Sequence, residues 1–117
     1  MEKILLVIFD PSLRQLYHEL LTSSDFEVIP ADTIENAMLN LMGNEISIVA
    51  IYVDDDNREE AQVFLRLCRY RQIWMDLRFA VISSILIDYP YNSMLDLKLN
   101  PDVLEADEIA SVIRNAL

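Results

Sequence analysis

Strand-length apolar runs alternate with amphipathic helical runs along this chain, and that alternation predicts an α/β domain on a parallel sheet. Three observations carry the prediction. The apolar run Ile4 to Phe9 stops abruptly at Asp10-Pro11, a pairing suited to opening a helix. The unit of strand then helix recurs five times. Strands separated by helices cannot pair as hairpins, so right-handed crossovers and helices on both faces follow.

The first strand, Ile4 to Phe9, is rich enough in β-branched residues to be buried. Asp10 then caps a helix whose apolar stripe is Leu13, Leu16, Tyr17, Leu20 and Leu21. Ser23-Ser24-Asp25 ends it, and Phe26 to Ala31 is the second strand. Asp32 with Glu35 suggests a capping box for a helix carrying Ile34, Ala37, Met38, Leu41 and Met42. Gly43, the only glycine, falls where a C-terminal cap is expected. Ile46 to Val53 is the most hydrophobic strand and is expected at the centre. Asp54-Asp55-Asp56-Asn57 breaks it, and a helix from Arg58 to Arg71 buries Ala61, Phe64, Leu65 and Cys68. A connection containing Trp74 leads to a fourth strand, Phe79 to Ser84. Pro90 is positioned to open a helix with Met94, Leu95 and Leu97. Asp102 to Glu105 is read as the fifth strand, and Ala106 to Leu117 as the closing helix with Ile109, Val112, Ile113 and Ala116 inward.

The 117 residues fit one domain, 1–117, and the 53% apolar content supports a packed core. One cysteine excludes an intrachain disulfide, and Cys68 reads as a small core residue. His18, the only histidine, has no evident catalytic partner. No apolar run reaches the ~20 residues needed to span a bilayer, and no signal-peptide pattern is present. A cytoplasmic protein is expected. The net charge of −11 disfavours nucleic acid and anionic lipid as direct partners. A single glycine cannot build a dinucleotide fingerprint or a P-loop, so no enzyme class is indicated.

The segment Lys3 to Phe9 followed by Asp10-Pro11-Ser12-Leu13-Arg14 resembles the first strand and helix of a response-regulator receiver domain of the chemotaxis-receiver type. The resemblance implies a flavodoxin-like (βα)5 three-layer sandwich with strand order 2-1-3-4-5. It also implies two-component signal transduction through phosphorylation of an aspartate, with magnesium and a cation assisting. Aligned on that segment, Ile8 and Phe9 occupy the two acid positions. The phosphoacceptor position falls at Tyr52, and a phenol cannot form an acyl phosphate. The switch Thr/Ser position matches Ser83. The lysine position falls at Glu105, with no proline beside it, and the aromatic three residues earlier falls at Asp102. The expectation is a degenerate pseudo-receiver with no cofactor.

An alternative places an active phosphoacceptor at Asp54, with Asp10, Asp55 and Asp56 holding Mg²⁺. Against it, Asp54 to Asp56 read as a solvated turn and Asp10 as a cap. Lys98, the other candidate for the missing cation, reads as a surface charge near the fourth helix. A third reading is a small-molecule sensor using a cleft lined by Phe9, Tyr52 and Ser83. The leading expectation is an interaction module whose partner is another protein or a second copy. Its surfaces would include Tyr89, Tyr91, Met94 and Leu95 near the fourth helix and fifth strand. Leu97, Leu99, Leu104 and Ile109 belong to the same region, and some of these eight residues must be core. Tyr70 and Trp74, with Val63, Leu67, Arg66, Arg69, Arg71 and Arg78, mark a second surface. Pairing of those arginines with nearby acids is the simpler account of them.

Overall fold

The computed structural model describes residues 1–23 and 25–117. Five parallel strands form one sheet in the order β2-β1-β3-β4-β5, with β1 Glu2–Val7, β2 Phe26–Ala31, β3 Ile48–Tyr52, β4 Arg78–Ile82 and β5 Leu97–Leu99. The helices are α1 Pro11–Leu21, α2 Ile34–Gly43, α3 Arg58–Tyr70 and α4 Ala106–Asn115, with a 3-10 turn at Gln72–Trp74. The flavodoxin-like order expected from the sequence is therefore present, with four α-helices rather than five among the described residues.

Alternate residues of each buried strand face opposite sides, and two cores result. Leu5, Val7, Val49, Ile51, Phe79 and Val81 pack under Ala37 and Leu41 of α2 and Ala61, Phe64, Leu65 and Cys68 of α3. Ile4, Leu6, Ile48, Ala50, Ala80 and Ile82 pack under Tyr17 and Leu21 of α1 and Ile109, Ala110 and Ile113 of α4. Burial pushes the Cys68 thiol up to about 12, as fits a core residue. On the outer borders, β2 carries an exposed Pro30 and β5 an exposed Lys98.

Several local expectations are corrected. Thr33, not Asp32, caps α2, accepting from the Asn36 N–H at 3.0 Å. Gly43 is the last helical residue, and no glycine has positive φ, so it is not a left-handed cap. Leu16 and Met42, expected inward, are exposed. Ser24 lies outside the described residues.

The largest correction concerns the segment before α4. No helix opens at Pro90; residues 83–96 are irregular, with one turn at residues 93–95. The fifth strand is Leu97–Leu99, in register Ala80↔Leu97, Val81↔Lys98 and Ile82↔Leu99, not Asp102 to Glu105. Asp96, immediately before the strand, holds this segment in place. Its side chain is fully buried and pairs with Arg69 of α3 at 2.5 Å. It also accepts from the backbone N–H of Phe79 at 3.2 Å and of Asn92 at 2.9 Å, and from the Tyr89 hydroxyl at 3.4 Å. Arg69 donates to the Met75 and Leu77 carbonyls and lies over the Phe79 ring at 4.8 Å. A carboxylate buried with this many donors dictates the path of the chain around it.

Candidate functional site

In an open parallel sheet, ligands bind beyond the carboxyl ends of the strands where strand order reverses, here between β1 and β3. A hollow of about 240 Å³ lies there, lined by Ile8, Phe9, Asp10, Leu13, Tyr52, Asp54 and Asn57. Its residues are placed by two strand-to-helix turns, those after β1 and after β3.

After β1, the Ile8 N–H still donates to the Ala31 carbonyl at 3.2 Å, and Ile8 is buried in the core. Phe9 is half-buried beyond the strand end. Asp10 caps α1 as its sequence suggests, one oxygen accepting from the N–H groups of Ser12 and Leu13. Arg14, one turn into α1, donates to the carbonyls of Ile8 at 2.8 Å and Phe9 at 3.2 Å. That guanidinium is committed to backbone oxygens of the turn.

After β3, Asp54 and Asn57 lock the turn reciprocally. Asp54 Oδ1 accepts from the N–H groups of Asp56 and Asn57 at 3.0 and 3.1 Å. Asn57 accepts from the Asp54 N–H at 2.9 Å and donates to the Tyr52 carbonyl at 3.0 Å. Asn57 is 4% exposed, so this amide satisfies backbone groups that water does not reach. Sequence reasoning treated Asn57 only as the end of a turn; the Asp-x-x-Asn spacing ahead of a helix was its signal.

Tyr52 stands half-buried at the end of β3, its ring centroid 6.3 Å from that of Tyr17 beneath it. Burial raises its pKa, and the charges of Asp54, Asp102 and Asp10 raise it further. Burial raises the Tyr17 phenol from 10.0 to about 12, with Tyr52 adding to the shift. The unfolded chain therefore loses the Tyr17 proton near its ordinary value while the folded chain retains it. Stability is expected to be unaffected by this group below about pH 10 and to fall as pH rises toward 12. Denaturation midpoints of wild type and Tyr17→Phe across that window check this: the variant loses the part of the decline due to Tyr17.

The remaining predicted positions do not join this hollow. Ser83 donates to the Val53 carbonyl at 2.7 Å and accepts from the Ile85 N–H. It lines a separate cavity of about 110 Å³ with Tyr89 and Lys98. The Phe9–Tyr52–Ser83 cleft is therefore corrected to two hollows. Glu105 does not end a strand; it precedes α4, where its N–H donates to Glu108 at 3.0 Å. Asp102 likewise lies after β5 instead of within it. Asn100 follows β5 directly, joined to Pro101, and the Ser83 N–H donates to the Leu99 carbonyl alongside. Asn100 was missed because the strand itself was misplaced. Lys98 lies on β5 and not on a helix; it is exposed, with its Nζ 4.2 Å from the Tyr91 ring centroid.

The four-acid cation site also does not form. Asp10 and Asp54 share the hollow, but among the described residues no three His, Cys, Asp or Glu side chains are grouped to hold a metal. With Ile8, Phe9 and Tyr52 at the strand ends, Asp10 and Asp54 are the carboxylates that line this hollow.

Of the surface candidates, Tyr89 is buried, meeting Phe79 edge to face, and is corrected to a core residue. Leu95 is half-buried, Met94 is exposed, and Tyr91 is exposed while its hydroxyl donates to the Asp96 carbonyl. Leu99 and Ile109 are core. Tyr70 is exposed, and Trp74 is half-buried against the core. The arginines are largely engaged within the chain: Arg66 pairs with Asp88 at 2.7 Å, and Arg78 donates to the Ala116 carbonyl.

No protein-family model matches the sequence, and no curated protein matches it either. The fold is nonetheless shared with response-regulator receiver domains. The chemotaxis response regulator CheY4 of Vibrio cholerae superposes with a TM-score of 0.75 at 14% identity, covering 100% of this chain and 99% of that one. The response regulator TrrA of Thermotoga maritima, in complex with Mg²⁺–BeF, gives 0.73 at 16% identity with all of both chains covered. TrrA in complex with the histidine kinase ThkA gives 0.69 at 18% identity, covering 100% of this chain and 99% of that chain. At these identities the likeness establishes the receiver fold. No helix among the described residues is long and apolar enough to cross a membrane.

Proposed function

We propose that this chain is a pseudo-receiver of two-component signalling, a cytoplasmic non-enzymatic module that works through protein contacts without phosphorylation or a cofactor. The observation that carries the reading is the occupancy of the strand ends. Ile8 and Phe9 follow β1, Tyr52 ends β3, and Asn100-Pro101 follows β5. Carboxylates, nucleophile and lysine are thus replaced together, by apolar groups, a phenol and an amide. The nearby charges, Asp10, Asp54 and Asp102, would repel a phosphoryl group. A protein partner, or a second copy, is consistent with the receiver-fold neighbour TrrA, whose complex with a histidine kinase is known.

Phosphoacceptor chemistry at Asp54 is disfavoured because one of its oxygens is spent on two backbone N–H groups. A small-molecule site is disfavoured because the hollow, at about 240 Å³, is below the usual ~300–1,000 Å³. Incubation with Mg²⁺ and beryllofluoride or a small phosphodonor is expected to leave mass, Mg²⁺ affinity and Tyr fluorescence unchanged. A phosphoryl adduct lost in Asp54→Ala would overturn the reading.

A further inference from the structure

A hollow of about 600 Å³ lies at the opposite end of the sheet from the candidate site. It sits between the C-terminal end of α2, the segment entering β3 and the 3-10 turn after α3. Leu41 and Trp74 provide an apolar floor packed on the core, while Met42 and Ile73 stand on its rim at 71% and 82% exposure. Large side chains at such exposure are costly to hydrate and are suited to being covered. On the outer face of α3, the helix that leads into this turn, Val63, Leu67 and Tyr70 recur at helical spacing and are all exposed.

Charge selects the occupant. The lining holds two acids, Glu45 and Asp76, and no basic residue, in a chain of net charge −11. Lys3, nearby, is committed to Asn44 at 3.2 Å. The Trp74 ring already receives a cation, the Arg71 guanidinium lying 5.6 Å from its centroid. A second copy would bring another −11 to the contact, which opposes self-association.

We propose that this groove docks a basic amphipathic segment of a protein partner, with apolar anchors against Met42, Ile73 and Trp74 and Lys or Arg facing Glu45 and Asp76. The assignment rests on the interaction-module reading and gives it a surface and a partner chemistry. Helix-in-groove recognition needs this combination of an apolar floor and complementary rim.

Trp74 is the only tryptophan, so its emission reports the groove directly. The probe is a Trp-free synthetic peptide with Leu at i, i+3, i+4 and i+7 and Lys elsewhere. It is expected to blue-shift Trp74 emission saturably, less so at high salt. Ile73→Asp and Met42→Asp, at exposed positions that leave the fold intact, are each expected to weaken binding about tenfold. Glu45→Lys with Asp76→Lys is expected to remove the salt dependence. No shift of Trp74, equal binding of the same peptide with Glu in place of Lys, or a dimer in sedimentation broken by Met42→Asp overturns the proposal. Beryllofluoride binding in a protein that still takes the Lys peptide would defeat the phosphorylation-independent reading and leave the groove assignment standing.

Discussion

Asp96→Ala is expected to destabilise the fold by about 3–5 kcal/mol, the cost typical of removing one partner from a buried ion pair. The Arg69 side chain is only 9% exposed, so its charge would be left inside without a counterion. Its Nε already lacks a partner among the described residues. The N–H groups of Phe79 and Asn92 would also lose their acceptor. Replacing both charges, as Arg69→Met with Asp96→Leu, is expected to cost less than Asp96→Ala alone, because no unpaired charge remains. Urea denaturation of the three variants measures this. A double variant as unstable as the single one would show that the backbone hydrogen bonds, and not the ion pair, dominate. Proteolysis is expected to cut first within residues 83–96 in Asp96→Ala, since that segment has no helix of its own to hold it.

Phe64→Ala is expected to cost about 3–5 kcal/mol for a different reason. Phe64 is fully buried between α3 and the sheet, and truncation leaves a cavity that packed neighbours close only in part. Tyr70→Ala, six residues on and 76% exposed, is expected to lie within about 0.5 kcal/mol of wild type. The contrast, read from chemical denaturation midpoints, separates the inner face of α3 from its outer one. Comparable losses at both positions would mean that the outer face is already covered by part of the protein or by a partner.

The first two-thirds of the fold was legible because each signal there is local. Asp10-Pro11 opens α1, Phe26–Ala31 is a strand over the range its composition suggests, and Ala61, Phe64, Leu65 and Cys68 form the buried face of α3. The last third turned on a tertiary contact. Asp96 looks like a surface acid in sequence, and only Arg69, twenty-seven residues earlier, makes its burial possible. Leu97-Lys98-Leu99 is too short for alternation to be decisive, so the strand was set too far along and Glu105 and Lys98 were misplaced with it. At the candidate site, the placement of Ile8, Phe9 and Tyr52 was readable because they sit at the ends of well-marked strands. The Asn57 and Arg14 hydrogen bonds were not, because polar residues beside helix starts read as ordinary caps.

Pro30 has a bearing on how the molecule meets others. It lies in β2, at a border of the sheet, opposite Leu6, and it has no N–H to offer an incoming chain. The other border is β5, three residues long with a charged lysine at its middle. An extended peptide seeking to lengthen the sheet finds an interrupted donor row on one side and almost no length on the other. Fibrillar stacking and donor-strand exchange are discouraged by the same two devices, which leaves helices and the hollows between them as the places where another protein can take hold.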